Sequence, residues 1–237
     1  WAVTAEEIVQ VEQERFFEVY NGHPDVHQSG DEHRPSIDRL WDIANTIRLA
    51  HLDAPPLLGI ATDDSHHYHN KPNGSRPFRG WQMVRATHLT AEHIVRAIKA
   101  GDSYASSGVT LTDVRFDQAS KTLKLNIRPD GDASFTTQFI GTLRGYDDKT
   151  QLTLDKAGQP PVDTKTGKAL RASRKYSGEV GQVLATVSGT TAEYTLTGKE
   201  LYVRAVVTSN KPPVDPSFAE QKQQAWTQPV GWTVPVN

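Results

Sequence analysis

Gly59-Ile60-Ala61-Thr62-Asp63-Asp64-Ser65-His66-His67-Tyr68-His69 is the stretch whose reading decides the fold. It continues a short apolar run, Pro56-Leu57-Leu58-Gly59-Ile60-Ala61, which reads as a buried strand. The run stops at two carboxylates and three imidazoles within seven residues. In α/β folds, ligands gather where the carboxyl ends of parallel strands stop. Carboxylate oxygen and imidazole nitrogen suit zinc, manganese or iron. Asp64 and His66 stand two apart, so in an extended segment both point the same way and one metal ion can meet both. Asp63 and His67 then point elsewhere than that ion, and stand as further possible metal or substrate contacts. The competing reading is a solvated polar loop after a strand.

Working outward toward the N-terminus, the same pattern occurs once before. Thr4 and Glu7 form a capping box for a helix expected over Thr4 to Glu14. Arg15-Phe16-Phe17-Glu18-Val19-Tyr20 then reads as a strand, and Asn21-Gly22-His23-Pro24 as its turn. His23 at that strand end is a candidate metal or substrate contact, with a plain turn residue as the alternative. Ser36 caps a helix running to about His51, with Ile37, Leu40, Trp41, Ala44 and Ile47 along one apolar face. The order helix, strand, helix, strand predicts parallel pairing.

Toward the C-terminus, Asn70 to Arg79 reads as an exposed loop and Trp81 to Ala86 as a strand. Thr90 caps a helix that Gly101 ends. His88 and His93 flank its start and read as solvated; His51 reads as a C-cap group; His27 and His33 read as surface residues of a polar loop. Tyr104, Ser106 and Ser107 suit either an anion or a tight connection between domains. From about Val109 helical periodicity gives way to short alternating runs: Leu111 to Phe116, Thr122 to Ile127, Phe135 to Leu143, Gln151 to Leu154, Val183 to Val187, Ala192 to Leu196 and Leu201 to Thr208. Such spacing predicts an antiparallel sandwich or curled sheet. Ala157 to Ser177 reads as a long loop, and the proline-rich tail from Lys211 as irregular chain. Two domains are expected, an α/β part over 1–108 and a β-rich part over 109–237.

Composition narrows the function classes. The chain has 237 residues, a formal net charge of −2, no cysteine and a mean hydropathy of −0.56. That is a soluble, polar, globular composition with no basic field for nucleic acid. No apolar run approaches the roughly 20 residues that span a bilayer. Without cysteine, disulfides and thiolate metal sites are excluded, so a metal must use His, Asp or Glu. The lack of cysteine, and a start at Trp1 without Met, favour a periplasmic or secreted protein whose N-terminus has been removed.

Five segments then fall into one register: Glu18-Val19-Tyr20-Asn21-Gly22, Leu40-Trp41-Asp42, Gly59 to Tyr68, Gly80-Trp81-Gln82-Met83-Val84-Arg85-Ala86, and Ala97 to Gly108. In that order they resemble the C-terminal half of a PHP (polymerase and histidinol phosphatase) domain of the metal-dependent phosphoesterase branch. The likeness covers about residues 1–110. Downstream, Tyr202-Val203-Arg204-Ala205 and Ala225-Trp226-Thr227-Gln228-Pro229 resemble the C-terminal extension of some members. The resemblance implies part of a distorted (β/α)7 barrel, up to three divalent ions at the strand ends, and a phosphoester or other small-molecule substrate. The family's last Asp-x-His matches Asp64 and His66. Its N-terminal His-x-His and other early ligands have no counterpart here, which leaves the implied site incomplete. The function expected is thus part of a metal-dependent phosphoesterase or hydrolase. The alternative is a non-catalytic β-rich binding or interaction module attached to a remnant barrel half, with Trp226 or Trp232 as an exposed aromatic platform.

Overall fold

The structure is a computed structural model and describes residues 3–69, 74–164 and 166–233. Residues 70–73 of the expected Asn70–Arg79 loop, Lys165, the two residues at the start and the last four of the tail lie outside the described residues. In chain order the elements are α1 (Ala5–Ile8), β1 (Phe16–Asn21), α2 (Ile37–His51), β2 (Leu58–Thr62), β3 (Trp81–Val84), α3 (Ala91–Ala100) and β4 (Ser103–Ser106). Then come only strands: β5 (Leu111–Asp117), β6 (Thr122–Ile127), β7 (Phe135–Leu143), β8 (Thr150–Gln151), β9 (Lys175–Tyr176), β10 (Gln182–Ser188), β11 (Thr191–Thr195), β12 (Glu200–Ser209) and β13 (Gln224–Trp226).

The caps act as their residues dictate. Thr4 and Glu7 close a reciprocal capping box, Ser36 accepts the Arg39 N–H at 3.1 Å, and Gly101 ends α3 in the left-handed region at φ 78°. The first helix is shorter than the expected Thr4–Glu14. It ends at Ile8, because β-branched residues are poor helix propagators and the carbonyl of Glu12 is taken up by Arg48 Nη2 at 3.3 Å.

The expected partial (β/α)7-barrel-like segment does not form; the chain is mostly β, with four sheets and three helices among the described residues. β1 and β2 do pair in parallel across α2, but parallel pairing stops there. Among the described residues no helix links β2 to β3, and α3 returns the chain so that β4 runs antiparallel to β3. Both strands join a six-stranded antiparallel sheet in the order β10-β7-β12-β13-β4-β3. That sheet takes strands from both sides of Gly108. The tail is not wholly irregular, since β13 slots between β12 and β4.

Strand alternation divides the molecule into layers. Val203, Ala205 and Val207 of β12 face the sheet β11-β6-β5, meeting Leu123, Leu125 and Ile127 of β6. Val206 of the same strand, with Ile140, Ala105 and Trp226, faces the other way, onto Leu40, Trp41 and Ala44 of α2. Every residue of β12 from Glu200 to Val207 is therefore buried. Trp41 is fully buried against β1 and β2: it lies parallel to Phe17 at 6.5 Å, donates Nε1–H to Leu57 O at 2.9 Å and fills the space above Gly59. A Cβ on Gly59 would meet that indole at 2.8 Å.

Between α2 and β12 lies a buried charge cluster. Arg204 donates Nε–H to Asp42 Oδ1 at 2.8 Å and Nη2–H to Asp42 Oδ2 at 2.6 Å and Asp38 Oδ1 at 2.5 Å. Its guanidinium carbon sits 4.7 Å from the centroid of the Trp41 ring. Tyr202 Oη donates to Asp42 at 2.7 Å and Trp226 Nε1 to Asp38 at 3.1 Å. This cluster fixes α2, and with it the βαβ unit, against the large sheet.

Candidate functional site

The parallel strands β1 and β2 end side by side, and their ends carry the polar cluster. Asn21 closes β1. Its Nδ2 donates to Glu18 Oε2 at 3.0 Å and to Asp64 Oδ2 at 3.2 Å, while its Oδ1 accepts the His23 N–H at 2.8 Å. One side chain thus spans both strand ends. Asp64 follows β2 in a left-handed conformation, φ 47°, which aspartate tolerates better than most residues. Its Oδ1 lies 3.1 Å from His66 Nε2. The ring of His23 stands edge-on to that of His66, centroids 5.6 Å apart.

Asp63 and His67 turn the other way and hold the loop. Asp63 Oδ1 accepts the N–H groups of Arg79 at 2.7 Å and Gly80 at 2.9 Å. His67 Nδ1 accepts the Ser75 N–H at 3.2 Å, and its ring packs over Gly74. The loop is fastened further by Arg79, whose buried guanidinium meets both oxygens of Asp215 at 2.9 and 3.1 Å and the Gly22 carbonyl at 3.1 Å. Arg76 also pairs with Asp215. Ser217 completes the latch, donating to Gly22 O at 2.8 Å. The tail is thereby stitched to the end of β1.

Electrostatics favour an ionised Asp64. Partial burial works against its charge, but the hydrogen bonds from Asn21 and His66 and the neighbouring imidazoles outweigh that and hold its pKa below the usual carboxylate range. Asp215 behaves alike: burial opposes its charge, and the Arg79 and Arg76 guanidiniums overcome it.

Asp64 Oδ1 and His66 Nε2 stand close enough for two ligands on one ion once Nε2 gives up the proton that it donates to Asp64. His23 is a weaker match. Its Nδ1 accepts the Asp25 N–H at 3.1 Å, so a neutral ring carries its proton on Nε2, and ligation there needs the other tautomer. Among the described residues no group of three or more such side chains converges on a metal position. Among the described residues the strand ends thus bring together two close donor atoms, Asp64 Oδ1 and His66 Nε2.

Asn21, Arg79 and Asp215 are the site residues that sequence reasoning missed. Asn21-Gly22 carried a turn signal that masked its side-chain role, and Asp215 gave no local signal at all. Ser106 and Ser107 are buried and tie β4 to β13, with Gln224 N donating to Ser107 Oγ at 3.1 Å; theirs is the connecting role. Trp226 is 4% exposed, so it is no aromatic platform; Trp232 remains part-exposed in a cleft of about 730 Å³ with Met83 and Phe116. No helix among the described residues is long and apolar enough to cross a membrane. No protein-family model, curated protein or solved structure matches the chain.

Proposed function

We propose that the end of β2 supplies one corner of a divalent-metal site in a PHP-type phosphoesterase, acting on a small phosphoester. The observation that carries this is the Asp64–His66 pair, 3.1 Å apart and anchored by Asn21. Zinc, manganese or iron bound there would polarise a phosphoryl oxygen and generate hydroxide near neutral pH. Asp64 contributes charge and His66 a neutral nitrogen. Asn21 aims the carboxylate, much as outer hydrogen-bond partners orient metal ligands elsewhere. Asp63 Oδ1 and His67 Nδ1 accept backbone N–H groups, so both residues serve to hold the loop. Two firm ligands leave several positions open, so hydrolysis calls for further ligands from a segment beyond the described residues.

Metal titration by calorimetry on the chain, with Asp64→Ala and His66→Ala, tests the reading. One bound zinc or manganese per chain is expected to disappear in either variant. Asn21→Ala should weaken that ion by about tenfold or more while keeping the fold. Unchanged stoichiometry in both ligand variants would make the cluster a polar loop and remove the basis for phosphoester chemistry.

The 730 Å³ cleft favours a second reading, a non-catalytic module that stacks sugars on Trp232. Quenching of tryptophan emission by oligosaccharides, lost in Trp232→Ala, is its expected signature; flat titrations would exclude it.

A further inference from the structure

We infer that His88 and His93 form a second, independent metal site, an open two-nitrogen clip for a borderline divalent ion such as zinc or copper. Their rings lie with centroids 4.6 Å apart and planes tilted by 53°. The two residues flank the N-cap Thr90 of α3, so the turn into the helix brings the rings together.

Each ring is held by a threonine. His88 Nδ1 lies 3.1 Å from Thr87 Oγ1, and His93 Nδ1 lies 2.7 Å from Thr90 Oγ1. A hydroxyl oxygen carries two acceptor lone pairs, so Thr90 can take both the His93 backbone N–H, at 3.4 Å, and the ring N–H. When Nδ1–H donates to threonine, Nε2 keeps its lone pair. This is how ligating histidines are commonly set: one nitrogen anchored by a hydrogen bond, the other offered to the ion.

Zinc–nitrogen bonds of about 2.0–2.1 Å put two ligands on one tetrahedral ion about 3.4 Å apart, within reach of rings this close. The site faces solvent, so water fills the other positions. Two influences act on the charge. The N-terminal end of α3 disfavours a cation, and Glu92 in its first turn offsets this, although Glu92 is also paired with Arg96. Two nitrogen donors without a carboxylate select copper over zinc and zinc over manganese. The strand-end pair, with its Asp64 oxygen, suits manganese better. No residue is shared between the sites, so each can fail alone.

The test uses the full chain carrying Asp64→Ala and His66→Ala, which leaves the α3 site untouched. Calorimetric titration with zinc chloride, copper sulfate and manganese chloride should give one zinc or copper ion per chain and little manganese. His88→Ala and His93→Ala should each weaken zinc by about tenfold or more, with circular dichroism unchanged. Thr87→Val keeps both rings and removes only the anchor; a similar loss of affinity is expected from it, which a purely structural threonine would not give. Equal zinc affinity in the parent and both histidine variants, or manganese bound as tightly as zinc, would overturn the assignment.

Discussion

Arg204 is only 1% exposed, and its charge is tolerable because Asp42 meets it with both oxygens. Asp42→Ala leaves the buried guanidinium with Asp38 alone and strips Tyr202 of its acceptor, so it should cost about 3–5 kcal/mol in urea unfolding. The double variant Asp42→Leu with Arg204→Met should cost less than Asp42→Ala alone; a larger loss would mean that the ion pair itself is net stabilising. Glu200 gives a pH dependence. Partial burial opposes its charge, but hydrogen bonds from Tyr194 and Thr197 outweigh this and lower its pKa. Its contribution is therefore complete above the unfolded value of about 4.3 and lost as pH falls through the lowered folded value. The partner Tyr194 is pushed up to about 12, by burial first and then by the carboxylate accepting its proton. Between its ordinary value near 10 and 12 the folded chain holds a proton that the unfolded chain releases, so stability falls with rising pH there. Tyr194→Phe should flatten that alkaline decline in thermal melts; an unchanged slope would assign it to other groups. At this scale the closeness of Asp64 and His66 followed from their short separation, but not for the expected reason: Asp64 is left-handed at φ 47°, not extended. Arg204–Asp42 was not legible, since its partners lie 162 positions apart and neither residue type announces the other.

Elements were legible where their ends carry chemistry. Thr4, Ser36, Thr90 and Gly101 all occupy the caps their residue types suggest. A Cβ at Gly101 would sit in the left-handed region, so Gly101→Ala should cost about 1–2 kcal/mol, read as a lowered melting temperature. An effect under a few tenths would mean the α3 end relaxes freely. β13 was illegible for the opposite reason. Gln224-Ala225-Trp226 is too short to display alternation, and its neighbours on both sides supply the pairing that makes it a strand. The segment after β2 depends on Asp63, whose carboxylate accepts two successive backbone N–H groups. Asp63→Ala should raise amide exchange at Arg79 and Gly80 while leaving α2 protected; protection kept at both would show that the Arg79–Asp215 pair suffices.

For the whole molecule, the β-rich half was legible because its alternating runs and turns need no distant information. The sheet class of the first half was not, since β3 pairs only with nearby β4, and β4 is drawn into the large antiparallel sheet by β13, more than a hundred residues further on. The two main apolar clusters share β12: Val206 lies in one and Val203, Ala205 and Val207 in the other. Tryptophan fluorescence, dominated by buried Trp41 and Trp226, and far-ultraviolet circular dichroism should therefore report one coincident urea transition. Separated midpoints would mean that the parts before and after Gly108 unfold independently. The place of β13 also sets an order on synthesis. A chain leaving the ribosome completes β12 before β13, and until Trp226 has emerged both β12 and β4 present unpaired edges. A nascent or prematurely terminated chain thus carries two open strands facing a missing third, a template for pairing with its neighbours on the same message. Arrival of β13 is what fills the gap between β12 and β4 and joins the two parts into one continuous sheet.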